Sequence, residues 1–332
     1  MAWLMRQKDL PLPNRTGLDV PKSLPVVGDC VICDAAPSKT GYDNIVLVQS
    51  TFPEEDFETL MKQFKAEWST ARSEAQGLKG IKSAPLRITC PVTDDPTLYL
   101  EHAPVEYGLI HAFHHLVERN SAVYDHFLRE ALQYRTVSGR RMPGAVAVDA
   151  TVILSGNELL LSHRIARKGG YNPELWSATL EEHFSVAKST WGNREHPADM
   201  DIEDTIVRGL REEFVSQDSA KEILVSVHAV TLDLVNLNLQ FQSVVHLPDT
   251  SFEELAEAWR SPETPDRGEH DTLATLEFKA STIRRALLAN SPGQLTKSSA
   301  GENYSERSEH PWHPRSRARL ACCLWLLEEA SD

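Results

Sequence analysis

The feature of this sequence that most constrains its fold is an amphipathic stretch at residues 201–217, DIEDTIVRGLREEFVSQ. Its apolar residues recur at the four-residue spacing of one helix face: Ile202, Ile206, Leu210 and Phe214. Asp204, Arg208 and Glu212 share the opposite face, and Glu213 stands about 100° further round the helix. We therefore expect a helix that buries its apolar stripe and presents two adjacent carboxylates, whose oxygens are the ligands that hard divalent cations prefer.

The centre of this stretch, RGLREEFV, resembles the Nudix box, whose usual form is G-x5-E-x7-R-E-U-x-E-E-x-G-U with U apolar. Four residues fall on motif positions: Arg208, Leu210, Glu212 and Glu213. Gly209 stands in place of the first glutamate of the R-E pair, and Val215 in place of the late glycine. Met200 occupies the position where the upstream spacing expects a glutamate. The chain is therefore interpreted as a degenerate member of the Nudix hydrolase superfamily.

The segments around the helix follow the order that this resemblance implies. Residues 145–154 and 158–164 predict two strands joined by a Ser155-Gly156-Asn157 turn. A strand that contains Trp176 precedes the helix, and an alternating apolar pattern between residues 223 and 247 predicts a second hairpin after it. The predicted fold class is α+β, with a Nudix-like mixed sheet sandwiched by helices and an N-terminal α+β module.

The chain divides into three predicted parts. Residues 1–25 carry four prolines and little periodicity, which is typical of an extended arm. Residues 26–143 are predicted to form the N-terminal α+β module, for which we identify no family. Residues 144–332 are predicted to form the Nudix-like domain, which ends in a helix after a polar, mobile linker at 291–311.

Composition restricts the partners and the compartment. The net charge of −14 argues against broad binding to nucleic acid or to anionic membranes, because both require a basic surface. The sequence has no apolar run near 18 residues and no apolar core typical of a signal peptide near its start, so we expect a cytoplasmic protein. Its five cysteines are expected to be reduced, and the Cys30-x-x-Cys33 pair to be structural, because no second pair at zinc spacing accompanies it.

The resemblance also implies which side chains carry chemistry. Two box carboxylates would hold Mg²⁺ or Mn²⁺: Glu212 and Glu213. Arg208 would orient them through a salt bridge. Because Gly209 removes a usual metal ligand, we expect a carboxylate from outside the helix to complete the site, with Glu182 as the first candidate and Glu269 as the second. The alternative for Glu269 is a solvated loop acid.

A basic segment follows the second predicted strand and includes Arg164 and Arg167. In an acidic protein such a cluster beside flexible glycines is a candidate phosphate clamp. Its alternative is a solvated turn.

A second group of potential metal ligands lies within residues 105–134, which predict an amphipathic helix or helix pair. His111, His115 and Glu118 could share one helix face. We favour a packing role for these histidines, because the ligands would come from a single helix and no distant fourth ligand is suggested.

Two functions of different class remain open. The first is a metal-dependent hydrolase that cleaves the diphosphate bond of a nucleoside diphosphate derivative. The second is a catalytically degenerate domain that binds a nucleotide or, through the N-terminal module, a protein partner or a second copy of the chain. Three or more carboxylates converging near Glu212 would favour hydrolysis, and two would favour binding alone.

Overall fold

The computed structural model describes residues 26–27, 29–36, 38–78, 81–89, 97–133, 144–165, 174–186, 189–191, 194–196, 198–214, 222–262, 264, 267–301 and 304–328. Helices and mixed sheets make up this part of the chain, consistent with the predicted α+β class. The predicted arm at residues 1–25 and the side chain of Arg167 lie outside the described residues.

The strands, numbered in chain order, are β1 Val26–Val27, β2 Cys30–Ala35, β3 Asn44–Gln49, β4 Ile81–Thr89, β5 Thr97–Glu106, β6 Val146–Leu154, β7 Glu158–Arg164, β8 Trp176–Ser177, β9 Leu180–His183, β10 Ser189–Trp191, β11 Arg194–His196, β12 Leu224–Asp233, β13 Leu239–Leu247, β14 His270–Glu277 and β15 Thr296–Gly301. The helices are α1 Glu54–Met61, α2 Lys65–Glu74, α3 Tyr107–Arg119, α4 Ser121–Gln133, α5 Ile202–Glu213, α6 Phe252–Arg260, α7 Ala280–Leu288, α8 Tyr304–Arg307 and α9 Ser316–Glu328. Short 3-10 turns are Lys62–Phe64, Arg267–Glu269 and Gly293–Leu295.

The larger sheet has ten strands, in the order β1-β2-β12-β13-β6-β7-β14-β15, with β9 also pairing to β6 and β8 to β7. The predicted hairpins β6–β7 and β12–β13 are both antiparallel. Strand β13 runs parallel to β6, so the sheet is mixed. Strand β2, which the sequence assigned to the N-terminal module, pairs with β12 inside this sheet. An apolar run such as CVICDA predicts a buried strand but does not specify which sheet it joins.

A smaller, three-stranded sheet in the order β3-β5-β4 packs with helices α1 to α4. Aromatic rings centred on Phe57 fill its core, with Trp68 and Phe113 packed edge to face against that ring. The backbone of this module meets the larger sheet directly, since Ser83 N–H donates to the Phe184 carbonyl over 3.0 Å.

Helix α5 packs its apolar stripe onto one face of the larger sheet. Ile202, Ile206, Leu210 and Phe214 are all at most 3% exposed, which confirms the predicted inward face. The Asp201 side chain caps the helix by accepting the Asp204 N–H, and residues 215–217 of the predicted helix lie outside the described part. Helix α9 covers the opposite face through Leu320, Cys323 and Leu324, as its sequence pattern indicated.

The prediction of a mobile linker at residues 291–311 is wrong. Strand β15 pairs antiparallel with β14 at the end of the sheet, and α8 follows it. The sequence TKSSAG is too polar to give a strand signal, because an end strand gains its order from backbone hydrogen bonds and needs little apolar burial.

The four cysteines in the described ranges form no disulfide with one another. Three are buried, which fits a packing role: Cys30, Cys322 and Cys323. Within the same ranges, no helix is long and apolar enough to cross a membrane.

Candidate metal centre

Three side chains converge where helix α5 ends and strand β14 begins. Glu213, Glu269 and His270 each offer one ligand atom, and these atoms all lie within 4.8 Å of one another. The Glu213 carboxylate lies 2.8 Å from His270 Nε2, and both side chains are buried. Glu269 is half-buried at the end of a 3-10 turn. Two carboxylates and one imidazole are a donor set that suits a divalent transition-metal ion.

The packing of α5 explains why Glu213 faces inward. Phe214, the last residue of the apolar stripe, is fully buried and stacks on the His270 imidazole, with ring centroids 5.1 Å apart and planes inclined by 17°. Because Glu213 precedes Phe214 on the helix, docking of the stripe carries its carboxylate to the start of β14.

The surroundings of the Glu213 carboxylate disfavour its negative charge. Burial raises the pKa of Glu213 well above its ordinary value, and the negative charges of Glu269 and Glu182 raise it further. Arg164 acts in the opposite direction. An ionised carboxylate in this position is therefore destabilised until positive charge arrives, and a divalent ion supplies that charge.

Arg164 lies beside the centre at the end of β7. Its Nη2 is 3.6 Å from Glu269 Oε2, and its Nη1 is 3.3 Å from Glu181 Oε2. The guanidinium is mostly covered, so the alternative of a solvated turn does not describe this residue. Arg167, the second predicted phosphate ligand, is outside the described residues.

Arg208 holds a different set of carboxylates. Its Nη1 lies 3.0 Å from both Glu182 Oε2 and Glu212 Oε2, and its Nε lies 2.9 Å from Asp199 Oδ1. The salt bridge expected between Arg208 and a box carboxylate is thus present at Glu212. Neither Glu182 nor Glu212 belongs to the group formed around Glu213, so the structure separates the two box glutamates that the sequence expected to act together.

Gly209 leaves room for Glu182 against the helix. A Cβ atom at position 209 would lie 2.4 Å from Glu182 Cγ, closer than such atoms approach, and 3.1 Å from Leu180 Cδ1, which is a tight contact. Gly209 therefore admits a carboxylate from strand β9 close to the helix. Glu182, the first candidate to complete the metal site, does not lie in the group around Glu213, whereas Glu269, the second candidate, does.

A buried ionic network lies on the far side of strand β9. Glu181 contacts three C-terminal side chains: His313, Arg315 and Arg319. Burial opposes ionisation of Glu181, but the Arg319, Arg315 and Arg164 guanidiniums around it hold its pKa well below the usual range. Because Glu181 also contacts Arg164, this network connects the C-terminal helix to the side chain beside the metal centre.

Sequence reasoning missed several of these residues. His270 directly follows Glu269, so the pair could have been recognised as two adjacent ligands. Asp199 and Lys82 gave no such signal.

Lys82 comes from β4 of the N-terminal module and donates to Ser185 Oγ over 2.6 Å. Burial lowers the pKa of Lys82, and the nearby Glu182 partly offsets that effect.

The second histidine group does not form a metal centre in the described part of the chain. Among the described residues, only Glu213, Glu269 and His270 bring three potential ligand atoms close enough together to hold one metal ion. His115 instead lies 3.0 Å from Glu74, which also accepts from Arg119. This arrangement agrees with the packing role that we favoured for these histidines.

No family model matches the sequence, and no curated protein matches it significantly.

Proposed function

We propose that this chain binds a divalent cation at Glu213, Glu269 and His270, together with the diphosphate group of a nucleoside diphosphate derivative. The observation that carries the proposal is the convergence of the three ligand atoms within 4.8 Å, on buried or half-buried side chains. The degenerate Nudix box on α5 and the mixed sheet beneath it are consistent with this function.

The donor set favours Mn²⁺ over Mg²⁺. Magnesium is usually held by carboxylates, water and phosphate oxygens, whereas imidazole suits softer divalent ions. Three protein ligands leave coordination positions for phosphate oxygens, so the metal and the diphosphate should bind together more strongly than either alone.

Arg164 is the candidate phosphate clamp. Its contacts to Glu181 and Glu269 fix the guanidinium beside the centre, and a fixed guanidinium binds phosphate oxygens with little further loss of freedom.

Hydrolysis of the diphosphate bond is the second candidate function. The position of Glu182 against Gly209 favours it, because the Cβ of a larger residue at position 209 would point at this carboxylate. Two observations favour binding without turnover. The group with metal-ligand spacing contains only two carboxylates, and the three carboxylates that converge near Glu212 (Glu182, Asp199 and Glu212 itself) are all held by Arg208. We therefore rank binding first.

Calorimetry with Mn²⁺ and methylenediphosphonate, a non-hydrolysable diphosphate, tests the proposal. Glu213→Gln removes one negative charge with little change of shape, and it should weaken joint binding by at least about tenfold. The matched control is Glu203→Gln, which changes an exposed glutamate in the first turn of the same helix and should leave binding unchanged. Equal binding by the wild type and Glu213→Gln would refute the proposed centre.

A separate assay distinguishes the two functions. Release of phosphate or of a nucleoside monophosphate is measured with Mn²⁺ or Mg²⁺ over nucleotide sugars, dinucleotides and nucleoside triphosphates. Turnover that is lost in Glu213→Gln and retained in Glu203→Gln would establish the hydrolase. Metal-dependent binding without turnover is the result that the two-carboxylate centre favours.

A further inference from the structure

Three rings lie in a row on one face of helix α3, and the first of them packs beside strand β9. Tyr107, His111 and His115 are spaced four residues apart, so their side chains project from the same side of the helix. Adjacent ring centroids are 6.1 Å and 4.3 Å apart along the row. Each of the three residues is partly exposed, which leaves ring surface for a ligand.

The row begins next to strand β9, which carries Glu182 and the carbonyl that Arg208 contacts. The Tyr107 ring lies 6.1 Å from the His183 ring, and His183 follows Glu182 in strand β9. The His183 carbonyl also accepts a hydrogen bond from Arg208 Nη2 over 3.1 Å. Burial raises the pKa of Tyr107, and the negative charges of Glu182 and Glu269 raise it further. The N-terminal module therefore contributes one wall beside the site.

The chemistry of the row suits an uncharged aromatic group. Burial lowers the pKa of His111, and the neighbouring His115 lowers it further, so the His111 imidazole is neutral at pH 7. Neutral rings stack on nucleobases with little sequence preference, because every base presents a π face. The three rings are partly exposed, unlike the rings of Phe57 and Phe113, which are fully buried in the core of the same module.

We propose that the base of a nucleoside diphosphate ligand stacks against Tyr107 and His111 while its diphosphate occupies the metal centre. The N-terminal module then selects nucleoside diphosphate derivatives over diphosphates that carry no aromatic group. This inference rests on the proposed function, because the metal centre anchors the ligand beside the row.

The test compares two probes in the presence of Mn²⁺ by calorimetry on the full chain. One is methylenediphosphonate, and the other is the α,β-methylene analogue of adenosine diphosphate, which adds a nucleoside. The wild type should bind the nucleoside probe roughly tenfold or more tightly than methylenediphosphonate, as expected for one stacked base. His111→Ala should erase this preference while leaving the affinity for methylenediphosphonate unchanged.

Three further variants sharpen the result. Tyr107→Phe keeps the ring and should preserve the preference, whereas Tyr107→Ala should reduce it. Tyr99→Ala is the matched control, because Tyr99 is exposed in strand β5 about 20 Å from the start of α3 and should change neither affinity.

The possible outcomes separate the two proposals. Equal affinities of the wild type for the two probes, or an equal loss for both probes in His111→Ala, would overturn the stacking inference and leave the metal centre standing. If neither probe binds, the proposed metal centre is overturned, and this inference with it.

Discussion

Gly209 determines which carboxylate approaches helix α5. In an exposed helix interior, glycine costs about 1 kcal/mol relative to alanine, so Gly209→Ala would ordinarily stabilise the helix. Here the added Cβ would meet Glu182 Cγ at 2.4 Å. Since Glu182 is also held by Arg208, its side chain cannot move aside without losing an ion pair.

We therefore expect Gly209→Ala to destabilise the protein by about 1 to 3 kcal/mol, the usual cost of overpacking. In a Glu182→Ala background the clash with Cγ is absent, and the same substitution should be neutral or stabilising. Urea unfolding of the wild type, the two single variants and the double variant measures whether the effect of Gly209→Ala on the free energy of unfolding changes sign. Additive effects of the two substitutions would contradict the close approach.

At the scale of elements, helix α5 depends on its apolar stripe. Leu210 is fully buried, so Leu210→Ala should lower the free energy of unfolding by about 2 to 5 kcal/mol. Arg211→Ala changes the next residue, which is exposed, and should stay within about 0.5 kcal/mol of the wild type. Denaturant titration of both variants is the measurement. A loss below about 1 kcal/mol at Leu210 would contradict the packing of α5 on the sheet.

The elements differ in how far the sequence predicted them. The stripe of α5 and the two hairpins were predicted because their apolar residues repeat at the helix or strand period over most of their length. Strand β15 was missed because its residues are polar, and the pairing of β2 with β12 was missed because sheet partners are set by tertiary contacts.

The site was predicted only in part, because periodicity places residues on one helix face but does not show which tertiary partners they meet. Helical spacing placed Glu212 and Glu213 side by side, but it could not indicate that Arg208 holds one and that His270 meets the other. Lys82 reaches Ser185 because the N-terminal module packs against the larger sheet. No local sequence pattern predicts that packing.

At the scale of the whole molecule, His114 ties the N-terminal module to the larger sheet. Its Nε2 lies 2.8 Å from Asn238 Oδ1, which also accepts the Ala145 N–H. Burial lowers the pKa of His114 to about 3. A histidine whose folded pKa lies below its unfolded value of about 6.5 contributes stability above pH 6.5 that is lost as the pH falls toward 3.

His114→Gln should therefore flatten the pH dependence of stability in this window. Two pH units below 6.5, protonation of the unfolded chain at this residue costs the wild type roughly 2 to 3 kcal/mol. His313, whose pKa burial also lowers to about 3, acts in the same direction, so the slope should decrease without disappearing. Thermal unfolding between pH 4.5 and pH 7.5 is the measurement, and an unchanged slope in His114→Gln would contradict the buried, neutral state of this histidine.

The central claim is that Glu213, Glu269 and His270 form one metal centre that also receives a diphosphate. Its most direct test is a crystal structure of the chain with Mn²⁺ and methylenediphosphonate, in which anomalous scattering locates the manganese. We expect one peak bonded to these three side chains at about 2.0 to 2.3 Å, with phosphonate oxygens on the remaining positions and Arg164 contacting the probe. Manganese bound instead between Glu182 and Glu212, or absent from both places, would contradict the claim.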